Sequence, residues 1–295
     1  VAKDSTPTLV GRPEIEIVRD IAGLAEKVCK AADIRTSDVA SLGIASPGIV
    51  DDATGTLIYA NNLYIKNYPI LPELRKLVDI KELHIENDAN AAAWGEAIAG
   101  AAKGSKSSVM ITLGTGVGGG IVDGGKVYKG FNSAAGELGH IVIRVDGRPC
   151  TCGRRGCWEA YSSATGLINM TAEKIAECER TGRETVMTKL VAEKGKVNGR
   201  TAFDGRRLGD AAASEVVDEY IKYLASGIAS MINIFQPEVL SIGGGISNEG
   251  QYLLDLVTPL VREQQYGTGL VPMTDIRIAK LRNDAGIIGA AVLGM

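Results

Sequence analysis

Four side chains of the kinds that hold metals fall within eighteen residues: His140, Cys150, Cys152 and Cys157, spaced His-x9-Cys-x-Cys-x4-Cys. The chain has only two histidines and five cysteines, so this stretch concentrates most of its soft-ligand chemistry. Three thiolates and one imidazole form a closed four-ligand set, the composition of a structural Zn²⁺ site. Gly147, Gly153 and Gly156 supply the turns that aim closely spaced thiols inward. The competing reading is buried, inert thiols, but Arg148, Arg154 and Arg155 flank the cysteines and belong on a surface. Redox chemistry is the other rival, and the spacing is not Cys-x-x-Cys. Cys29 and Cys178 stand apart and are assigned no function.

A second kind of chemistry is suggested by glycine. Leu113-Gly114-Thr115-Gly116 follows an apolar run and offers successive backbone N–H groups without side chains in the way, a cradle for an anion. It is not a Walker A loop, because no Gly-Lys-Ser/Thr follows. A dinucleotide fingerprint would need a helix next, and a strand and hairpin are expected instead. Gly243-Gly244-Gly245 ends another apolar run. Either cluster alone could be a tight turn; two of them, each after a buried strand, point to a nucleotide. Carboxylates complete the set. Asp88 lies where a strand gives way to a helix, so it reads as an N-cap or as a general base, and local sequence favours the cap. Glu137 and Glu159 bracket the cysteine segment and have no role that spacing alone assigns.

These residues need elements to hold them. Ile17, Ile21, Leu24 and Val28 predict a helix over 14–32, opened by Pro13. Strands are predicted at 39–45 and 83–85, then an Ala-rich helix at 89–102 and a strand at 109–113. Asp123-Gly124-Gly125 predicts a hairpin between strands 117–122 and 126–128. A helix is expected at 164–180, and residues 181–207 read as polar and irregular. Val217, Ile221, Leu224, Ile228, Met231 and Phe235 predict the longest helix, ended by Pro237. A strand at 239–242, a helix at 249–264, a strand at 275–279 and a helix at 284–293 follow. Strand and helix alternate, so the class is α/β, with ligands expected at the carboxyl ends of the strands.

Length and composition exclude other classes. With 295 residues, 45% hydrophobic and 23% charged, the chain is neither disordered nor fibrous, and about two domains are expected. The net charge of −3 argues against a nucleic-acid partner. No apolar run approaches the ~18 residues of a membrane span, and a cytoplasmic protein is expected. The chain opens on Val1, and Val1-Ala2-Lys3-Asp4-Ser5-Thr6-Pro7 is expected to be the end of a strand that begins outside the sequence.

Taken together, the motifs resemble the ROK family of sugar kinases and sugar-responsive repressors, and within it bacterial ATP-dependent glucokinases. Glu137-Leu138-Gly139-His140 followed by Cys150-x-Cys152-Gly153-x-x-Gly156-Cys157-x-Glu159 carries the likeness. Ala45-Ser46-Pro47-Gly48, Asn87-Asp88-Ala89-Asn90 and Leu113-Gly114-Thr115-Gly116 support it in the family's order. The resemblance implies an actin-like ATPase (ribonuclease H-like) fold with two lobes around a deep cleft. A smaller lobe would span 1–103 and a larger one 104–295, with the zinc segment at 137–159 and the last helix packing back on the first lobe. It implies phosphorylation of a hexose, glucose at O6, by ATP with Mg²⁺, Asp88 being the general base. Asn62, Asn87, Asp88, Glu137, His140 and Glu159 would hold the sugar. His140 would also bind Zn²⁺ with Cys150, Cys152 and Cys157, so zinc would brace a sugar-binding loop without entering the chemistry. Gly114, Thr115 and Gly116 would meet the phosphates, and Gly243, Gly244 and Gly245 the adenosine. The alternatives are a ROK repressor, or a kinase for fructose, mannose or N-acetylglucosamine. A homo-oligomer, dimer or tetramer, is expected. Two features depart from the pattern. The family's first phosphate motif, Asp-x-Gly-Gly-Thr, is absent from these residues, so about 25 residues, a two-strand hairpin, are expected upstream. Tyr64 in Asn61-Asn62-Leu63-Tyr64-Ile65 replaces a Trp, which changes the wall expected beside the sugar.

Overall fold

The computed structural model describes residues 2–294; Val1, where the expected truncated strand begins, lies outside the described residues. Residues 2–10 form no strand. They are held instead by ion pairs, Lys3 with Asp284 and Asp4 with Lys27, and Pro7 has no N–H to give a ladder. Helix α1 (Glu14–Ala31) then covers a small parallel pair, β1 (Ser41–Ser46) and β5 (Glu82–Asn87). Between them lie β2 (Ile49–Asp51), β3 (Thr56–Ala60), β4 (Ile65–Tyr68) and α2 (Ile70–Leu74). The three strands form an antiparallel sheet that the sequence reading missed. They are only three to five residues long, and β3 buries Leu57 and Ala60 but not in strict alternation. One apolar core, including Val18, Leu57, Ile65, Leu74 and Ile85, unites this part.

A second core belongs to a five-stranded sheet of order β10-β9-β6-β7-β8. Its members are β6 (Ser107–Leu113), β7 (Val117–Asp123), β8 (Lys126–Val127), β9 (Val239–Gly243) and β10 (Asp275–Ile278). β6, β9 and β10 run parallel, β7 is antiparallel to β6, and β8 is antiparallel to β7. The predicted hairpin is present: Gly124 and Gly125 take φ +56° and +74°, the double positive φ of a type I′ turn. The helices here are α4 (Glu159–Ser162), α5 (Ala164–Thr181), α6 (Val186–Lys194), α7 (Thr201–Arg207), α8 (Ala211–Phe235) and α9 (Gln251–Gln264). Val217, Ile221, Leu224, Ile228 and Met231 of α8 are buried, as their spacing predicts.

Residues 181–207 are a correction, because they hold α6 and α7 rather than an irregular loop. Each helix is too short to show a period, and each is anchored by a few buried side chains: Met187 in α6, Ala202 and Phe203 in α7. Capping does the rest. The Thr185 hydroxyl accepts from the N–H of Met187, and the Asp210 carboxylate accepts from Val186 and from Ala213 at the start of α8.

Where the two cores meet, α3 (Asp88–Ala99) crosses α10 (Ala285–Ala291) backbone to backbone. A Cβ on Gly289 would fall 1.6 Å from the carbonyl oxygen of Ala91, and one on Gly95 2.5 Å from that of Ala285. The Ala-rich sequence of α3 therefore serves close approach as well as helix propensity. α10 also packs on β1, where a Cβ on Gly43 would meet the Ala290 carbonyl at 1.8 Å. Among the described residues, no helix is long and apolar enough to cross a membrane.

Candidate active site

The carboxyl ends of β5 and β6 and the first turn of α3 open on one cavity of about 540 Å³. Asn62, Asn87, Asp88, Gly114, Thr115, Gly116, Glu137, His140, Glu159 and Gly244 line it. Gly243 does not: it is buried at the end of β9, where a Cβ would meet Met110 at 2.9 Å. Gly245 lines a neighbouring cavity instead. Tyr64, expected beside the sugar, is 76% exposed and is not part of the cavity wall.

The expected capping role of Asp88 is corrected. Asn87 is the N-cap of α3, its Oδ1 accepting from Ala89 at 2.9 Å and Asn90 at 3.1 Å. Its Nδ2 donates to the Gly48 carbonyl at 2.9 Å, which ties the Ser46-Pro47-Gly48 turn to the helix start. Asp88 is the first helical residue and is exposed to the cleft. Among the described residues, its Oδ1 accepts only from its neighbour Ala89, at 2.8 Å. A carboxylate freed of capping and facing a cavity is available to a ligand.

In the glycine loop the carbonyls are turned to other work. Gly114 O accepts from Ala164 N at 2.8 Å, Thr115 O from the Thr165 hydroxyl at 2.8 Å, and Gly116 O from Gly114 N at 3.0 Å. The start of α5 thus occupies the Gly114 and Thr115 carbonyls, and the Gly114 N–H is spent on the Gly116 carbonyl, which leaves the N–H groups of Thr115 and Gly116 for an anion. Glu159, to which spacing alone assigned no role, is bonded through both carboxylate oxygens. Its Oε2 accepts from Val117 N at 3.0 Å, and its Oε1 accepts from the Thr151 hydroxyl at 3.2 Å. One carboxylate therefore joins the glycine loop to the cysteine segment.

The four candidate ligand atoms of His140, Cys150, Cys152 and Cys157 lie within 4.8 Å of one another. Cys152 Sγ and Cys157 Sγ are 3.6 Å apart, and His140 Nδ1 is 3.7 Å from Cys150 Sγ. Tetrahedral Zn²⁺ with Zn–S ~2.3 Å and Zn–N ~2.0–2.1 Å would separate them by about 3.8 and 3.6 Å. The donor set and its spacing fit the ion. The Arg154 backbone N–H pulls the Cys152 thiol down to about 6, while burial pushes Cys157 up to about 12. A coordinated cation would hold both as thiolates. His140 Nε2 lies 3.9 Å from Glu137 Oε2, on the opposite edge of the ring from the cysteines. Zinc could thus fix the imidazole that faces the cleft.

The ROK family model matches residues 10–295. The chain belongs to the ROK family. It is 36% identical over 282 residues to the glucokinase of Halalkalibacterium halodurans, covering 94% of this chain and 82% of that one. It superposes on a ROK family glucokinase from Streptomyces griseus, solved with glucose and AMPPNP, with a TM-score of 0.80 at 31% identity, covering 99% of this chain and 91% of that one. Regulators share the likeness at lower identity: the xylose repressor of Caldicellulosiruptor bescii is 25% identical over 96% of this chain and 69% of its own. The fold is the actin-like ATPase fold of the ROK sugar kinases, a mixed α/β architecture.

Within this ROK fold, several residues escaped the sequence reading. Thr112, Arg282 and Asn283 also line the cleft. Lys129, just after β8, reaches Glu86 of β5 and Asp52 after β2, each at 2.7 Å. It stitches the five-stranded sheet to the small one beside Asp88. A second cavity of about 870 Å³ opens beside Gly245 and is lined by Lys194, Asn198, Arg200, Arg207 and Asn248. Arg282, Asn283 and Lys129 meet the site through partners distant in sequence, so local spacing does not mark them.

Proposed function

We propose that this ROK protein is an ATP-dependent hexose kinase acting on glucose at O6, the reaction of a glucokinase. The observation that carries the reading is Asp88: released from capping by Asn87, it shares one cleft with the Gly114–Gly116 loop. In the proposed step Asp88 accepts the proton of the O6 hydroxyl as that oxygen attacks the γ-phosphorus. The bond to the β–γ bridging oxygen breaks and ADP leaves. Such transfer depends on positioning and charge stabilisation more than on covalent chemistry. Asn62, Asn87, Glu137, His140 and Glu159 hold the sugar in this proposal, Asn87 through its one remaining N–H. Gly114, Thr115 and Gly116 take the phosphates of MgATP. Gly244 and Gly245, between the two cavities, approach the adenosine, with the base in the second cavity.

Zn²⁺ on His140, Cys150, Cys152 and Cys157 would brace the loop that carries the sugar ligands. It would supply no Lewis acid to the reaction, because its four ligands close the coordination shell. The small lobe is taken as 1–103 and the large one as 104–295; two apolar cores, one ending at Ile85 and the other starting at Val109, support the division, and a third cluster of α3 with Met110, Val122 and Ala285 joins the lobes. A cytoplasmic place in sugar breakdown, and assembly as a homo-oligomer, fit this reading.

The test is ADP release by the full chain with ATP, Mg²⁺ and a panel of glucose, mannose, fructose and N-acetylglucosamine. Hexose-dependent ADP formation, fastest with glucose, supports the proposal. Sugar binding by calorimetry with no ADP released from any hexose refutes it and favours a sugar-responsive regulator.

A further inference from the structure

The cleft has an unusual charge balance for a pocket that takes a polyphosphate. Asp88, Glu137 and Glu159 bring three carboxylates to its wall. Among the described residues lining it, Arg282 is the single lysine or arginine. The other basic side chain, His140, has Nδ1 turned to Cys150. Among the described residues, Arg282 joins no ion pair, and the nearby Asp284 carboxylate is taken by Lys3. Among the described residues, a triphosphate entering this site meets three carboxylates and one guanidinium outside any ion pair.

The backbone at Arg282 carries a second observation. Its φ is +53°, a left-handed conformation that a long side chain adopts only at a steric cost. The conformation is imposed from behind. Glu96, fully buried in α3, accepts from Leu281 N at 2.7 Å, Lys280 N at 3.1 Å and Ala101 N at 2.6 Å. The carboxylate pins the chain just before Arg282, and the Asp284 N–H closes the turn on the Leu281 carbonyl. Gly286, four residues on, lies against the Asp88 carbonyl. One helix thus presents Asp88 at its start and, through Glu96 near its end, fixes the turn that carries Arg282. Seven described non-glycine residues take a positive φ, and Arg282 is the one of them that lines the cleft; glycine would relieve its strain at once.

We propose that Arg282 is the cation that receives the phosphate chain of the nucleotide, donating its N–H groups to non-bridging oxygens next to the phosphoryl group in transfer; Glu96 is its positioning residue. The inference rests on the kinase reading. A guanidinium suits the task because its planar fork stays charged and bonds two oxygens at once. It also offsets one of the three carboxylate charges that repel the substrate.

The experiment compares the parent protein with Arg282→Gly and Arg282→Lys, by steady-state kinetics in ATP, by sugar binding without nucleotide and by melting. Arg282→Gly is expected to lower kcat/KM for ATP about 100-fold, the loss typical of removing one charge-stabilising donor. Its melting temperature should hold or rise, because glycine accepts φ +53° freely, and its sugar affinity should stay. Arg282→Lys should recover part of the loss. An active parent with Arg282→Gly within about threefold of it in kcat/KM overturns this inference alone. So does a parallel fall of melting temperature and sugar affinity in Arg282→Gly, which would make the arginine a packing element. A parent that releases no ADP with any hexose overturns the kinase reading, and this inference with it.

Discussion

Asp88→Asn separates chemistry from structure. The substitution keeps the side-chain shape, so the cleft wall is preserved. Stability should hardly change, because the cap of α3 is Asn87, with its two accepted N–H groups and its bond to Gly48. Asp88 gives the helix only its charge in the first turn and a bond to the adjacent Ala89 N–H. Loss of a charge at a helix N-terminus costs about 0.3–1 kcal/mol, or roughly 1–4 °C in melting temperature for a protein of this size. Turnover should behave otherwise. The amide cannot take the proton of the attacking hydroxyl, and a general base contributes ~10²–10⁴-fold, about 3–5 kcal/mol of barrier. The assay is ATP-dependent hexose phosphorylation alongside a melting curve on the same sample. A kcat within a few-fold of the parent refutes Asp88 as base. A fall in melting temperature beyond about 10 °C refutes the division of labour between Asn87 and Asp88.

Elemental analysis should find about one zinc per chain, the stoichiometry of one four-ligand site. Its removal, or Cys152→Ser, should weaken sugar binding by loosening the segment between Glu137 and Glu159; full sugar affinity in metal-free protein would count against it. Asp210→Ala should cost about 1–3 kcal/mol, since one carboxylate serves both Ala213 and Val186. Burial of Asp210 works against its charge, but the backbone N–H groups outweigh this and hold its carboxyl below the usual 3.8. Its folded-state value is the lower one, so its stabilisation is present above pH ~4 and lost as pH falls through the folded value. The melting difference between parent and Asp210→Ala should therefore be constant from about pH 5 to 8 and shrink below about pH 4; a difference unchanged in acid would refute the assignment. Lys129→Met should destabilise by about 3 kcal/mol, because it strands the buried Glu86 carboxylate. Urea unfolding reads this, and a change below about 0.5 kcal/mol, typical of surface pairs, would reduce the bridge to a surface contact.

The sequence by itself determined what is local. The α8 face was legible because 25 consecutive residues repeat one period against one core. The β7–β8 turn was legible because two adjacent glycines satisfy both positive φ angles. The Cys/His cluster was legible because its four candidate ligands sit within eighteen residues, so spacing nearly defines geometry. Tertiary structure decided what depends on distant partners. α6 and α7 are too short to show a period, and their stability comes from side chains delivered into a core assembled elsewhere. Asn87 and Asp88 are adjacent residues that can both cap a helix. Which one does so was settled by the Gly48 carbonyl, 39 positions away, which fixes the Asn87 amide. Glu159 found its partner at Val117, 42 positions back. The turn before Arg282 is held by a glutamate 185 positions earlier. Ligand spacing survives in a linear chain only when one turn or helix carries it. A cleft shared by several elements exists only after their apolar faces have packed, and the roles of its polar residues are fixed at that stage.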